Sequence, residues 1–409
     1  MKILQINCVY GHGSTGGITQ DIHESLLAQG AESIVCYGRG GRTAAPGVIK
    51  VCPEVYCKAN SLLSRVRGTM YGGCYLSTCY LTRLIRREKP DVVHLQCING
   101  NFVNIYKLVS WLKERGIKTV LTLHAEFMYT ANCGHALECE KWKTGCGSCP
   151  RMRTELHSWF WDGTARSFAQ MRQAFRGFEK DLTVVSVSPW LRRRAEASPI
   201  LANMDHRVIL NGINTQVFAY RPSGQVRQKH GLTGETIIFH ATPMFCDDPA
   251  HLKGGCYLLE LAKRMQDRPV RFLVAGKCRV SGEVPENVTL LGEIRDKAQL
   301  AEYYSAADLT LLTSRRETFS LVCAESLCCG TPVVGFEAGA PEETTLGEYS
   351  TFVPFGDLAA LEAAVQTWLE RREIPKRQIC RAAEQRYSRE RMAGEYFELY
   401  RGLTHEAPR

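Results

Sequence analysis

No run of about 18 apolar residues occurs anywhere in the chain, so nothing in it is suited to cross a bilayer as a helix. The amino terminus, MKILQINCVYGHG, lacks the long apolar core of an export signal, because its hydrophobic stretch is short and is interrupted by Gln5 and Asn7. It reads as a first β-strand, and the expectation is a cytoplasmic protein that can sit peripherally at the inner face of the membrane. Low-complexity tracts, collagen-like periodicity and repeats of fixed length are also missing, which excludes a disordered chain or a solenoid. Cysteine, by contrast, is plentiful, at 18 residues. Without an export signal a disulfide framework is not expected. Most of these cysteines, such as Cys328 and Cys329 in an apolar helix, read as small buried hydrophobes.

A length of 409 residues exceeds one ordinary core and favours two domains. The net charge of +9 is compatible with nucleic acid, anionic lipid or a phosphorylated substrate. Part of it is clustered, in Arg83, Arg86, Arg87 and Lys89 and again in Arg192, Arg193 and Arg194. These runs read as solvated helix faces or as a patch for an anionic membrane surface near a lipid-linked acceptor, and no nucleic-acid partner is expected.

Apolar strand-like runs alternate with helical stretches. Lys2–Val9, Ser33–Tyr37, Asp91–Leu95, Thr119–His124 and Leu182–Val187 read as strands of a parallel, doubly wound sheet. The pattern restarts after about residue 218, with strands at Thr236–His240, Val270–Ala275, Val288–Leu291, Leu309–Leu312 and Pro332–Gly335. The fold class is therefore α/β, with two Rossmann-like domains. The expected division is 1–218, with a cysteine-rich insertion at about 130–150, then 219–388, then a helical segment 389–409 returning to the first domain. The turn-rich Asn211–Phe218 and the following Pro222 and Gly224 form the linker. Two such domains facing each other leave a cleft at the carboxyl ends of their strands, where ligands bind.

The segment SRRETFSLVCAESLCCGTPVVGFEAGAPE, Ser314–Glu342, carries the most chemistry. Glu317 and Glu325, with seven residues between them, flank a helix expected to start near Phe319 or Ser320, with Thr318 and Ser320 as candidate caps. A helix start offers free N–H groups and a positive dipole end, which suits a diphosphate. Gly330-Thr331-Pro332 stops the helix before the strand at Val333-Val334. In this region, and over nearly its whole length, the chain resembles the retaining glycosyltransferases of family 4, which have the GT-B fold. The resemblance implies that Glu325 binds the ribose hydroxyls of a nucleotide sugar and that Glu317 contacts the donor sugar. It also implies that Thr318, Phe319, Ser320 and Leu321 line the donor site with backbone groups.

Four further motifs fit around this site. The turn Gly11–Gly17 follows a strand and precedes a helix, and the resemblance makes Gly16 and Gly17 the place where the backbone approaches the donor phosphate and the acceptor. Read literally it is also a dinucleotide fingerprint, with Arg39 where an NADP enzyme would meet a 2′-phosphate. His124 ends a strand and, by resemblance, lies close to the donor sugar. Lys253, before Gly254, is placed to neutralise a leaving diphosphate; the family often has an arginine several residues earlier, which is absent here, so Arg315 or Lys277 is a candidate substitute. Cys133, Cys139, Cys146 and Cys149, with one C-x2-C pair, suit a structural tetrahedral zinc, with free thiols or a redox pair as the other readings.

The expectation is a retaining transferase that moves a sugar from a UDP- or GDP-sugar to a hydroxyl of a glycan or lipid-linked acceptor in polysaccharide biosynthesis. Its chemistry needs no metal or other cofactor. The alternatives are an NADP-dependent oxidoreductase using the Gly11–Gly16 turn, a non-catalytic subunit with the same shell, or a nucleotide-sugar epimerase of the same fold.

Overall fold

The computed structural model describes residues 1–222, 224–371 and 374–405. It divides into two compact units, one of Met1–Leu210 together with the chain from Met392 onward, the other of Asn211–Arg391. The expected break at 218 thus falls at 210 and the return point at 391, because the intervening residues are anchored in the second unit. The Ile213 amide donates to Tyr387 O, and Phe218 packs edge-on against Tyr304. Of the expected helical segment 389–409, residues 406–409 lie outside the described residues.

The first unit runs β1 (Lys2–Asn7), α1 (Gly13–Ala28), β2 (Glu32–Tyr37), β3 (Val48–Lys50), α2 (Glu54–Arg67), α3 (Tyr75–Glu88), β4 (Val92–Leu95), α4 (Ile105–Glu114), β5 (Thr119–Leu123), α5 (Phe127–Thr130), α6 (Thr164–Phe175), β6 (Leu182–Ser186), α7 (Pro189–Glu196) and β7 (Asp205–Val208). Its seven strands are all parallel, in the order β3-β2-β1-β4-β5-β6-β7. Helices cover both faces of such a sheet, which is why its inner strands are almost wholly buried. Side-chain caps fix two helix starts: Asn104 accepts from the Lys107 amide at 3.0 Å and Ser188 from Leu191 at 3.1 Å.

The second unit runs α8 (Gly224–Lys229), β8 (Thr236–Cys246), α9 (Gly255–Arg264), β9 (Val270–Arg279), β10 (Val288–Gly292), α10 (Lys297–Ala306), β11 (Leu309–Leu312), α11 (Leu321–Cys328), β12 (Val333–Phe336), α12 (Pro341–Thr344), β13 (Ser350–Val353), α13 (Leu358–Glu370) and α14 (Lys376–Tyr387). Six parallel strands are ordered β10-β9-β8-β11-β12-β13. Ile238, Phe272, Leu309 and Val334 of the sheet bury against Leu258 and Leu261 of α9 and Leu361, Val365 and Trp368 of α13.

The amphipathic stretch Ile379–Leu403 is two helices, α14 and α15 (Arg389–His405), because the chain turns extended at Ser388. From Met392 onward α15 packs on the first unit, where Met392, Tyr396 and Tyr400 join Ile3, Val92, Val120 and Ile22 in one core. A polar thread runs through this core. Tyr400 OH meets His94 Nδ1 at 2.7 Å, His94 Nε2 meets Thr122 Oγ1 at 2.8 Å, and Thr122 Oγ1 meets Tyr396 OH at 2.8 Å. Burial, aided by the neighbouring His124, lowers the His94 pKa to about 3, so the ring is neutral and uses both nitrogens. Tyr400→Phe leaves a buried imidazole nitrogen unpaired and is expected to cost about 1–3 kcal/mol, read as a lower denaturation midpoint with an unchanged slope.

Candidate active site

In each unit the strand order reverses at one point, between β1 and β4 in the first and between β8 and β11 in the second, and ligands of such sheets bind at the loops leaving those strands. In the second unit the loop after β8 ends at Lys253 and the loop after β11 carries Glu317. Lys253 Nζ lies 2.7 Å from Glu317 Oε1, with both side chains mostly shielded from solvent. Their backbones are locked together as well. Lys253 O accepts from Thr313 Oγ1 at 2.9 Å, and the Arg315 amide donates to Leu252 O at 2.9 Å. Gly254 is left-handed, with φ at +61°, and a Cβ there would stand 2.2 Å from Thr313 O, so only glycine lets the two loops approach this closely. Glu317 is held from the other side by the hydrogen bond that its backbone amide donates to Ala338 O, at 2.9 Å.

The next helix, α11, begins at Leu321 rather than at Phe319 or Ser320. Ser320 stands at the cap position with φ 74° and makes no side-chain cap bond. Its buried Oγ takes no partner of hydrogen-bonding geometry among the described residues. The left-handed backbone explains this, since it turns the hydroxyl away from the first-turn amides that an extended cap residue would reach. The Ser320 hydroxyl thus leaves the N-terminal N–H groups of α11 uncapped. Phe319 is buried edge-on to Tyr387, and its carbonyl accepts from Thr344 Oγ1 at 3.0 Å. Thr318 is half-buried in the loop.

Glu325 is half-buried in the second turn of α11, where Tyr304 OH donates to its Oε2 at 3.2 Å. Burial outweighs this bond and the nearby Lys297, and its pKa is pushed up to about 7. Glu342 is a residue that the sequence reading passed over. Its Oε1 accepts from the Gly339 amide at 3.0 Å beside the Glu317 loop, its Oε2 is buried without a partner among the described residues, and burial raises its pKa. Of the candidate substitute cations, Arg315 adjoins the Lys253 loop, with its guanidinium 5.8 Å from the Phe355 ring centre. Lys277 is exposed and pairs with Glu293 at 3.5 Å.

In the first unit, Gly16 lies in the first turn of α1, where its carbonyl accepts from the Gly11 amide at 3.0 Å and an added Cβ would meet Val9 at 3.0 Å. Gly17 faces open space. His124 follows β5, and its Nε2 lies 3.3 Å from Gln96 Oε1 at the end of β4. Gln96 in turn donates to Gln5 Oε1 at 2.6 Å. Gln5 and Asn7, which break the apolar run of β1, are therefore buried parts of the scaffold under His124; Asn7 Oδ1 accepts from the Cys97 amide at 3.0 Å. Burial lowers the His124 pKa to about 4, which keeps the imidazole neutral near pH 7. Arg39 is committed elsewhere, donating to Glu54 at 2.7 Å and to Gly100 O at 3.1 Å, so it does not stand as a free cation for a 2′-phosphate.

The cysteine insertion corrects another expectation. Cys133, Cys139, Cys146 and Cys149 line one cavity of about 20 Å³, but among the described residues no three His, Cys, Asp or Glu side chains form a group that could hold a metal ion. The cavity is shared with Trp142 and Ala136, and burial raises the pKa of Cys133 and of Cys146, the latter to about 11. Other contacts hold the insertion. The Arg194 guanidinium lies 4.7 Å from the Trp142 ring centre and 4.9 Å from that of Trp190, and it pairs at 2.7 Å with the fully buried Glu126. Arg151 donates to the carbonyls of His135 and Ala136. The basic run at 192–194 is accordingly not a continuous surface patch: Arg194 turns inward, and Arg192 pairs with Glu196. Arg194→Met strands the Glu126 charge and is expected to cost about 3–5 kcal/mol, measured by chemical denaturation.

Comparison with known proteins agrees with this architecture. The sequence model described as Glycosyltransferase Family 4 matches residues 18–217, and that described as Glycosyl transferases group 1 matches residues 244–371. The glycosyl transferase WcaC of Escherichia coli (strain K12), named for colanic acid biosynthesis, is 26% identical over 356 residues, covering 84% of this chain and 85% of its own. The sucrose-phosphate synthase of Thermosynechococcus elongatus superposes with a TM-score of 0.70 at 17% identity over 100% of both chains. HepE of Anabaena, solved with UDP-glucose, superposes with a TM-score of 0.65 at 15% identity over 98% of this chain and 100% of its own. At those identities the solved structures speak for the fold alone. With two doubly wound parallel sheets and the two family models spread over most of its length, the chain belongs to the family 4, group 1 glycosyltransferases and has the GT-B fold.

Proposed function

We propose that this glycosyltransferase takes a nucleoside-diphosphate sugar, in the first instance a UDP-sugar, and moves the sugar with retention to a hydroxyl of a glycan or lipid-linked acceptor in polysaccharide synthesis. The observation that carries this reading is the meeting of Lys253 and Glu317 on the loops at the β8–β11 reversal, followed in the Glu317 segment by the start of α11, which Ser320 leaves uncapped. An uncapped helix start and a lysine are what a diphosphate needs. The solved complex of HepE with UDP-glucose and the name of WcaC support the choice of donor and setting.

Bond breaking at the anomeric carbon gives an oxocarbenium-like centre and sends negative charge onto the departing diphosphate. The α11 amides and Lys253 offset that charge, so a divalent ion is not called upon. Lys253 is held beforehand by Glu317, which keeps the ammonium oriented at little conformational cost. Glu317 itself accepts hydrogen bonds from the donor sugar. Glu325 accepts from the ribose hydroxyls, with Tyr304 orienting its carboxylate. His124 is assigned to sugar binding as a neutral imidazole steadied by Gln96. Gly16 and Gly17 are assigned to backbone contact with phosphate and acceptor. The leaving phosphate receives the acceptor's proton.

Glu325 gives this reading a pH signature. Below about 7 its carboxyl carries a proton in the free protein and cannot accept from both hydroxyls. UDP affinity is therefore expected to rise as pH climbs from 6 to 8, and Glu325→Gln is expected to weaken binding roughly 10–100-fold and to flatten that profile, both read by calorimetry. Lys253→Met is expected to lower kcat roughly 100–1,000-fold with little change in the donor KM, measured as donor hydrolysis or transfer. Unchanged kcat would remove Lys253 from the leaving-group site.

A further inference from the structure

The first unit carries an exposed apolar platform with no role in the reaction. On α2, Leu62, Leu63 and Val66 face solvent, and only Cys57 of the whole helix is buried. The start of α3 presents Tyr75 and Leu76, the latter 75% exposed. The loop before α6 adds three consecutive aromatics, Trp159, Phe160 and Trp161, with Phe160 at 68% and Trp161 at 67% exposure. These pieces are contiguous. The Trp159 amide donates to Arg65 O at 3.0 Å and the Gly163 amide to Gly68 O at 3.0 Å, which seats the aromatic loop on the end of α2. The Leu76 amide donates to Tyr56 OH at 3.1 Å, which ties α3 to the same helix. Val66, Tyr75 and Trp161 line one open cavity of about 1030 Å³.

The rim is positive. Lys58, Arg65, Arg67 and Arg166 are exposed and form no ion pair among the described residues, and Lys107 sits 5.5 Å from the Tyr75 ring centre. The nearby acids are occupied: Glu54 pairs with Arg39, Glu155 with Arg151, and Asp162 accepts from the amides of Cys149 and Thr164. Exposed tryptophans beside a basic, apolar-faced helix match the boundary of an anionic bilayer, where indole rings settle at headgroup depth and lysine and arginine meet lipid phosphate.

We propose that this platform docks the protein on an anionic lipid surface. The attachment is peripheral and reversible, and it stands whether or not the assignment of the reaction is right. It differs from the basic runs in the sequence, because the apolar contacts come from α2 and the 159–161 loop.

The test uses the purified full chain with vesicles of phosphatidylcholine alone or mixed in equal parts with phosphatidylglycerol, read by co-sedimentation and by tryptophan emission. Binding to the anionic vesicles, with a blue shift and weakening in high salt, is expected. The triple variant Trp159→Ser, Phe160→Ser, Trp161→Ser is expected to bind at least about tenfold more weakly and to lose the shift. Arg65→Gln with Arg67→Gln is expected to lose about fivefold per charge on anionic vesicles only. Donor hydrolysis and melting temperature serve as checks that the variants are folded. Equal binding by the triple variant, or no preference for the anionic lipid, overturns the proposal. So does a wild-type chain that self-associates through this surface, sedimenting as a dimer that the triple variant abolishes.

Discussion

A cation and an anion from two different loops meet at 2.7 Å beside a helix start that Ser320 does not cap, and the candidate site in the second unit is organised around that meeting. The Lys253–Glu317 pair depends on the close approach of the loops leaving β8 and β11. That approach depends on the absent side chain of Gly254 and on the hydrogen bond from Thr313. The parallel sheet beneath is what places those two strand ends side by side. Glu317 thereby belongs to the framework, and in the proposed reaction to the chemistry as well: it pairs with the lysine and is itself presented by a backbone pairing with Gly339.

The first unit solves a similar problem with neutral groups. His124, Gln96 and Gln5 link the ends of β5 and β4 to β1 through side-chain hydrogen bonds, and a second buried thread joins His94 and Thr122 to the tyrosines of α15. Burying polar groups in a sheet core costs free energy unless they are satisfied, and here the satisfied network sets the ring positions. The carboxyl-terminal helix consequently contributes to the core beneath His124 as well as covering a face of the sheet.

Much of this was legible in the residues, for physical reasons. Strands buried on both faces are rich in apolar and β-branched residues, so β1, β4, β5, β6 and β11 are visible without any partner. The short β3, the polar edge strand β7 and β13 are not, because half-buried edge residues need no apolar pattern. Glu317, Glu325 and the stop at Gly330 stand out together because loop and helix are local in sequence, whereas the meeting of Lys253 with Glu317 spans 64 residues. Gln96 could not, since its partner Gln5 is 91 residues away. The four cysteines show the limit of spacing as a guide: it brings thiols into one loop but does not say whether they aim at one point. Arg194 shows the same limit for charge runs, as one of three adjacent arginines is turned inward by a buried glutamate and two tryptophans.

The most direct test of the donor site is hydrogen–deuterium exchange of the full chain with and without UDP. Slower exchange at the amides of Leu321–Cys323 and across residues 251–256 is the expected result. Protection confined to Gly11–Gly17 and the end of β2, with the 313–325 segment unchanged, would contradict the assignment of the nucleotide to the second unit.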